Sequence, residues 1–281
     1  MEQTGRRFHH RHGTLTRKIS SGKRSESIHT TSDTEETIVT PEEEFIVDLD
    51  GYILLKNVLS AAEVAQLNEA VDAGDRQGSP SLWGEPFKKL IDHPKILPYL
   101  LDLLGPSVRL DHDYAIFMER GDHKGGLHGG TDGGPSLSEC DHWYKYRDGV
   151  IRNGLCVFSY QLADAGEGAG GFACIPGSHK SNFVGNIPAA VRSYDERPHY
   201  VRQPVAKAGD VIFFTEALVH GTIPWNAAHE RRALLFKYSP GHSAWNGNYP
   251  DVSNYGEVTE RQRRMLLPPS IGRRPSVAEL V

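Results

Sequence analysis

Apolar and polar positions change their period partway along this chain. An early run, Gly51–Val58, reads as a strand. Ser60 with Glu63 three residues later then makes a capping box, and Val64, Leu67 and Val71 follow at helical spacing. A second helix is predicted over Pro94–Leu104. From Val108 the apolar residues fall into short runs broken by Gly and Pro. Val108–Met118, Leu155–Leu162, Val211–Phe214 and Ala233–Tyr238 are the clearest strands. Residues 185–200 read as a long surface loop, Thr259–Leu266 as a short helix, and the last fifteen residues as irregular. Helices first and many short strands afterwards predict an α+β protein. Its core is expected to be a double-stranded β-helix (jelly roll) with flanking N-terminal helices.

Residues 1–40 break this pattern. They carry Arg6, Arg7, Arg11, Arg17, Lys18, Lys23 and Arg24 among many Ser and Thr, with few large apolar side chains. Such a stretch buries too little surface to offset its ordering entropy, which predicts a disordered basic tail. The same composition suits an organelle-targeting segment, although it lacks an amphipathic apolar face. The expected organisation is therefore tail 1–40, jelly-roll domain 41–266 and C-terminal tail 267–281. A cytoplasmic location is expected, with organelle targeting as the alternative.

Composition narrows the function classes. A chain of 281 residues with 38% hydrophobic content can form one large domain with a full core. No apolar run reaches the roughly 18 residues of a membrane span, so no membrane partner is expected. The net charge of −5 offers no global basic field for nucleic acid. Cys140, Cys156 and Cys174 form no CxxC and no even set, which argues against a disulfide scaffold. A small-molecule substrate remains the expected partner, with the oligomeric state left open.

The candidate chemistry rests on His128, His220 and Arg231. His128 lies in a glycine-rich run, Gly125-Gly-Leu-His-Gly-Gly130-Thr-Asp132-Gly-Gly. His220 follows the apolar run Val211–Phe214, and Arg231 opens a further strand on a face shared with Ala233, Leu235 and Lys237. Neutral imidazoles suit iron, zinc, copper and nickel alike. A guanidinium nearby could take a carboxylate in bidentate fashion. Taken singly, each His could be an ordinary core or surface residue, and Arg231 could join Glu230 and Arg232 in a solvated charge cluster. A zinc hydrolase is the poorer reading, because no HExxH supplies a base.

Several stretches taken in order carry a resemblance. These are Asp50–Ser60, Gly170-Gly-Phe-Ala-Cys-Ile-Pro-Gly-Ser-His179-Lys, Ala208-Gly-Asp-Val-Ile-Phe-Phe214, and His220 with its spacing to Arg231. From about Phe45 to Pro240 the chain resembles the phytanoyl-CoA dioxygenase-like family of Fe(II)/2-oxoglutarate oxygenases. The resemblance implies that His128 and His220 hold Fe(II) and that Arg231 binds the co-substrate carboxylate. Thr222 matches a position whose hydroxyl helps hold 2-oxoglutarate. It implies an oxygenase that consumes O2 and 2-oxoglutarate, forms a ferryl intermediate, most simply hydroxylates a small molecule, and releases succinate and CO2. His179 reads as a turn brace. Trp143, Tyr144, Lys145, Tyr146 and Arg147 could cover the pocket or form a packed lid with a solvated rim. Trp225, Lys237, His242 and Trp245 are further rim candidates.

The chain departs from the family at Gly130, where a carboxylate ligand is expected two residues after the first His. Asp132 could substitute, but on an extended strand it would lie roughly 13 Å from His128. Water, chloride or bromide could fill the place instead, and a His-x-Gly pattern resembles the radical halogenases of the superfamily. Alternatively the domain is a noncatalytic ligand-binding module.

Overall fold

Thr40, Ser60 and Thr259 each start a helix in the same way. Each side chain accepts the N3 backbone N–H while the N3 side chain returns to the cap's own N–H, which satisfies donors that a helix start would leave open. The computed structural model describes residues 39–130, 142–272 and 274–281. The helices are α1 (Pro41–Asp50), α2 (Ala61–Ala73), α3 (Glu85–Lys88), α4 (Leu97–Leu104), α5 (Ala189–Arg192) and α6 (Glu260–Met265). Helix α1 was not foreseen, because its apolar stripe is thin. Val47 is buried while Phe45 and Leu49 are exposed. The tail expected over residues 1–40 lies, up to residue 38, outside the described residues.

The strands are β1 (Tyr52–Leu55), β2 (Arg109–Met118), β3 (Tyr144–Arg147), β4 (Val150–Asn153), β5 (Cys156–Gln161), β6 (Gly171–Cys174), β7 (Val211–Thr215), β8 (His220–Ile223) and β9 (Arg231–Ser239). One sheet runs β1-β7-β5-β9-β2 with antiparallel pairing. A second layer is the antiparallel pair β6-β8. The fold is α+β, with a double-stranded β-helix core and flanking helices. Strand β9 begins two residues earlier than its apolar run suggests, so Arg231 is itself a strand residue paired with Met118.

The two faces of the large sheet have different tasks. Phe158, Tyr160, Phe213, Leu234, Phe236 and Tyr238 pack toward the helical layer with Leu67, Val71 and Leu100. The opposite face places Val157, Ile212, Phe214, Ala233 and Leu235 against Phe172 and Cys174 of the second layer. Alternation along β9 therefore sends Arg231, Ala233, Leu235 and Lys237 into the space between the layers.

The Pro-Gly-Ser-His signature fastens the sheet to α1. His179 is buried, its Nε2–H donates to the Asp48 carbonyl at 3.1 Å, and its ring stands edge-on to Tyr144. Gly51 caps α1 with φ +76, and a Cβ there would fall 2.5 Å from His179 Nδ1. Tyr144 reaches the Asp48 carboxylate, so the aromatic and basic segment 144–147 forms a hairpin strand anchored to α1. Residues 267–272 and 274–281 are irregular apart from a 3-10 turn at Ala278–Leu280, yet they are packed down. Val277 is buried and donates its N–H to the Pro106 carbonyl, while Arg274 donates to the Ser107 carbonyl. Cys156 and Cys174 are buried.

Burial, with Lys180 adding repulsion, lowers the His179 pKa to about 4. The unfolded chain takes up that proton nearer pH 6.5. Stability held by neutral His179 is complete above pH 6.5 and is lost as pH falls toward 4. The urea midpoint should therefore drop across that window, and His179→Gln should make the drop shallower. Equal slopes in the two proteins would contradict this role.

Candidate active site

His128 and His220 share a backbone hydrogen-bonded pair. His128 N–H donates to the His220 carbonyl at 2.8 Å, and His220 N–H donates to the His128 carbonyl at 2.9 Å. Residues directly opposite in an antiparallel pair present their side chains on one face. The two rings accordingly lie 4.5 Å apart, centroid to centroid. The segment 125–130 is held in place by α5, inside the stretch expected as a loop, where Leu127 N–H donates to the Arg192 carbonyl at 2.8 Å.

The free edges of both rings are set by their other nitrogen. His128 Nδ1 lies 2.8 Å from the Gly126 carbonyl, and His220 Nδ1 lies 2.8 Å from the Leu218 carbonyl. A carbonyl only accepts, so each Nδ1 carries the proton and each Nε2 keeps its lone pair. This is the tautomer a metal requires of a histidine, with the outer nitrogen oriented by a backbone acceptor. His220 is buried against Phe172 and Phe214. That burial lowers its pKa to about 4, with Glu216 opposing and His128 adding to the shift. His128 is exposed and stands at the outer side of the pair.

Arg231 and Thr222 open on the same interior. Thr222 follows His220 by two residues on β8, so both side chains share a face. Arg231 is 3% exposed, and its Nη1 meets Met118 Sδ at 3.2 Å. Its Nε has no hydrogen-bond partner among the described residues. Burial lowers its pKa to about 10, against weaker opposing contributions from Tyr114 and Tyr194. The acid cluster goes to Arg232 instead, whose guanidinium pairs with Glu230 and Asp72. Tyr194 adds a buried hydroxyl without a partner among the described residues. That oxygen sits 2.5 Å from where a side chain at Gly221 would begin, which is the face of β8 opposite to His220 and Thr222.

Glu216 is a buried acid facing His220 that sequence reasoning missed. It occupies the turn between β7 and β8, 3% exposed. Its Oε1 pairs with Lys237 Nζ at 2.6 Å, and its Oε2 faces His142 Nε2 at 3.6 Å and His220 Nε2 at 3.8 Å. Burial alone would raise its pKa, but Lys237 and the two imidazoles hold it well below the usual carboxylate range. The available signal was one acid inside the apolar run Val211–Val219, since an unpaired charge there would be too costly to bury. Lys237, expected at the rim, is a buried interior group beside the Tyr114 ring. Trp225 is buried near Gly171 and Arg231, and Trp245 stacks on His142. His242 lines a different cavity with Trp143, Arg152 and Arg274.

Gly130 is closed to side chains. Its φ is +95, and a Cβ would meet Val219 Cγ2 at 3.0 Å and Val184 Cγ2 at 3.1 Å. Both contacts belong to an apolar cluster with Leu127 and Val191. A carboxylate at 130 would enter that cluster. Asp132 lies outside the described residues. Among the described residues, no three His, Cys, Asp or Glu side chains already converge into a metal-holding group. Two imidazoles of the right tautomer and an unpaired buried guanidinium nevertheless fit an iron chelated by a 2-oxo acid.

Residues 131–233 match the family model described as phytanoyl-CoA dioxygenase (PhyH). The match includes His220, Thr222 and Arg231 and begins after His128. No curated protein matches the chain. Among solved structures, HygX from Streptomyces hygroscopicus with nickel and 2-oxoglutarate is similar at 20% identity over 86% of this chain and 99% of that one, with a TM-score of 0.65. HygX with iron bound gives 21% identity over 87% and 100%, with a TM-score of 0.63. EctD from S. alaskensis with 2-oxoglutarate and 5-hydroxyectoine gives 21% identity over 76% and 80%, with a TM-score of 0.54. These likenesses establish the shared fold. No helix among the described residues is long and apolar enough to cross a membrane.

The variant Gly130→Asp should lose stability, by about 2 kcal/mol or more, through left-handed strain and a carboxylate forced among valines. It should gain no affinity for divalent metal. A tighter metal complex in this variant would contradict the orientation assigned to residue 130.

Proposed function

We propose, from the match of residues 131–233 to the phytanoyl-CoA dioxygenase family model and from the site's geometry, that this chain is an Fe(II)/2-oxoglutarate oxygenase that acts on a small molecule, most simply by hydroxylating a C–H bond. The observation that carries the reading is Arg231. It is a buried cation without an ion-pair partner among the described residues, and it opens on the same interior as two paired imidazoles. Burying a lone cation is unfavourable unless an anion joins it. The carboxylate of a 2-oxo acid supplies that anion.

His128 and His220 hold the iron through Nε2. Arg231 receives the far carboxylate of 2-oxoglutarate, and the Thr222 hydroxyl braces the same molecule. Bound Fe(II) with 2-oxoglutarate and O2 supplies the oxidant, with one oxygen atom passing into succinate as CO2 leaves and the other into the product. Phe172 and Phe214 keep water from the inner imidazole. The Tyr114 ring, lying beside the Lys237–Glu216 pair, offers an aromatic face next to polar groups, which suits a polar small molecule. The catalytic domain spans residues 41–266, with 1–40 as a tail and 267–281 as the C-terminal segment.

Purified protein with Fe(II), ascorbate and O2 should convert 2-oxoglutarate to succinate. Arg231→Ala should raise the co-substrate KM by on the order of 30-fold or more, as expected when one partner of a buried charge pair is removed. Protein that binds metal and 2-oxoglutarate but forms no succinate would instead be a binding module. An unchanged KM in Arg231→Ala would remove Arg231 from co-substrate binding.

A further inference from the structure

We propose that Glu216 is the acidic iron ligand of this protein, taking the role that Gly130 cannot fill. The inference rests on the function proposed above. Gly130 is excluded by its backbone, since a side chain there points into Val184 and Val219. Glu216 lies in the turn that leads into His220, its carbonyl accepting from Gly130 N–H at 3.5 Å, and its side chain faces His220.

The facing atoms make the case. His220 Nδ1–H is committed to the Leu218 carbonyl, so the His220 Nε2 lone pair is the group turned toward Glu216 Oε2, 3.8 Å away. Two acceptors facing each other just beyond hydrogen-bond distance repel, and a cation between them removes the repulsion. A nitrogen and a carboxylate oxygen each about 2.1 Å from one metal are separated by about 3 Å when their bonds meet at a right angle. The Glu216 carboxylate therefore has to move toward the imidazole pair when the ion binds, because the three side chains do not yet converge. Lys237 holds the other oxygen at 2.6 Å, which keeps the carboxylate ionised and fixes its outer edge as a metal ligand's partner should. His128, His220 and Glu216 then form two imidazoles and one carboxylate, the donor set that suits Fe(II) among oxygenases. The acid comes from four residues before the distal His rather than two residues after the proximal one. No halide is needed to complete the set.

The test is anaerobic titration of the whole protein with Co(II) alone, followed by its visible absorption and by calorimetry, without substrate or turnover. Wild type is compared with Glu216→Ala and with the near-isosteric, uncharged Glu216→Gln, each checked for fold by circular dichroism. Both variants should bind Co(II) about 100-fold more weakly, or worse. Sodium formate should restore much of the affinity and the absorption of Glu216→Ala, while chloride and bromide should not. Affinity within threefold of wild type in the variants would overturn the inference, and so would a loss that formate leaves unrestored, which would mark a merely structural glutamate. Wild type that binds no Co(II) would overturn the proposed function as well. Wild type that binds while the variants bind equally well would overturn only the role of Glu216.

Discussion

The reciprocal backbone hydrogen bonds between His128 and His220 are the constraint on which the site depends. They join a glycine-rich segment to the start of β8, so two residues far apart in sequence become direct neighbours across a strand pair. Each ring then spends its Nδ1 proton on a nearby carbonyl, and both Nε2 lone pairs are left for another use. The arrangement needs no side chain at 130. Gly129 and Gly130 both have left-handed backbone, and a Cβ at 130 would run into Val184 and Val219.

Charge inside the two-layered core follows the same economy. Arg231 and Lys237 come from one face of β9, yet only Lys237 has an acid beside it. The Lys237–Glu216 pair lies deep enough that removing either partner would strand a buried charge, a costly state. Arg231 is left with a thioether and two tyrosine rings nearby, an environment that stores a cation for an incoming anion. A protein interior built only for stability would have placed an apolar side chain at either position.

Much of this was legible in the sequence because the strongest signals are periodic. The capping box at Ser60 and the stripe Val64, Leu67 and Val71 gave α2, and alternation along β9 put Arg231 and Lys237 on one face. The helix Pro41–Asp50 escaped because its buried stripe is little more than Val47. Strands β6 and β8 are too short for a period to register, although the motifs they carry, Gly-Gly-Phe-Ala-Cys and His-Gly-Thr, stood out. Glu216 was missed for a different reason. Its interest lies in what it faces across the fold, and no local pattern encodes that. Sequence proximity to Gly130 points to Asp132, whereas the acid that faces His220 comes from the turn between β7 and β8.

The most direct test of the central claim is a crystal structure of the protein grown without oxygen and soaked with Mn(II) and 2-oxoglutarate. The account predicts one manganese ion held by Nε2 of both His128 and His220, with 2-oxoglutarate chelated to it and its far carboxylate on Arg231. Manganese bound elsewhere, or imidazoles that share no ion while Arg231 stays without an anion, would contradict it.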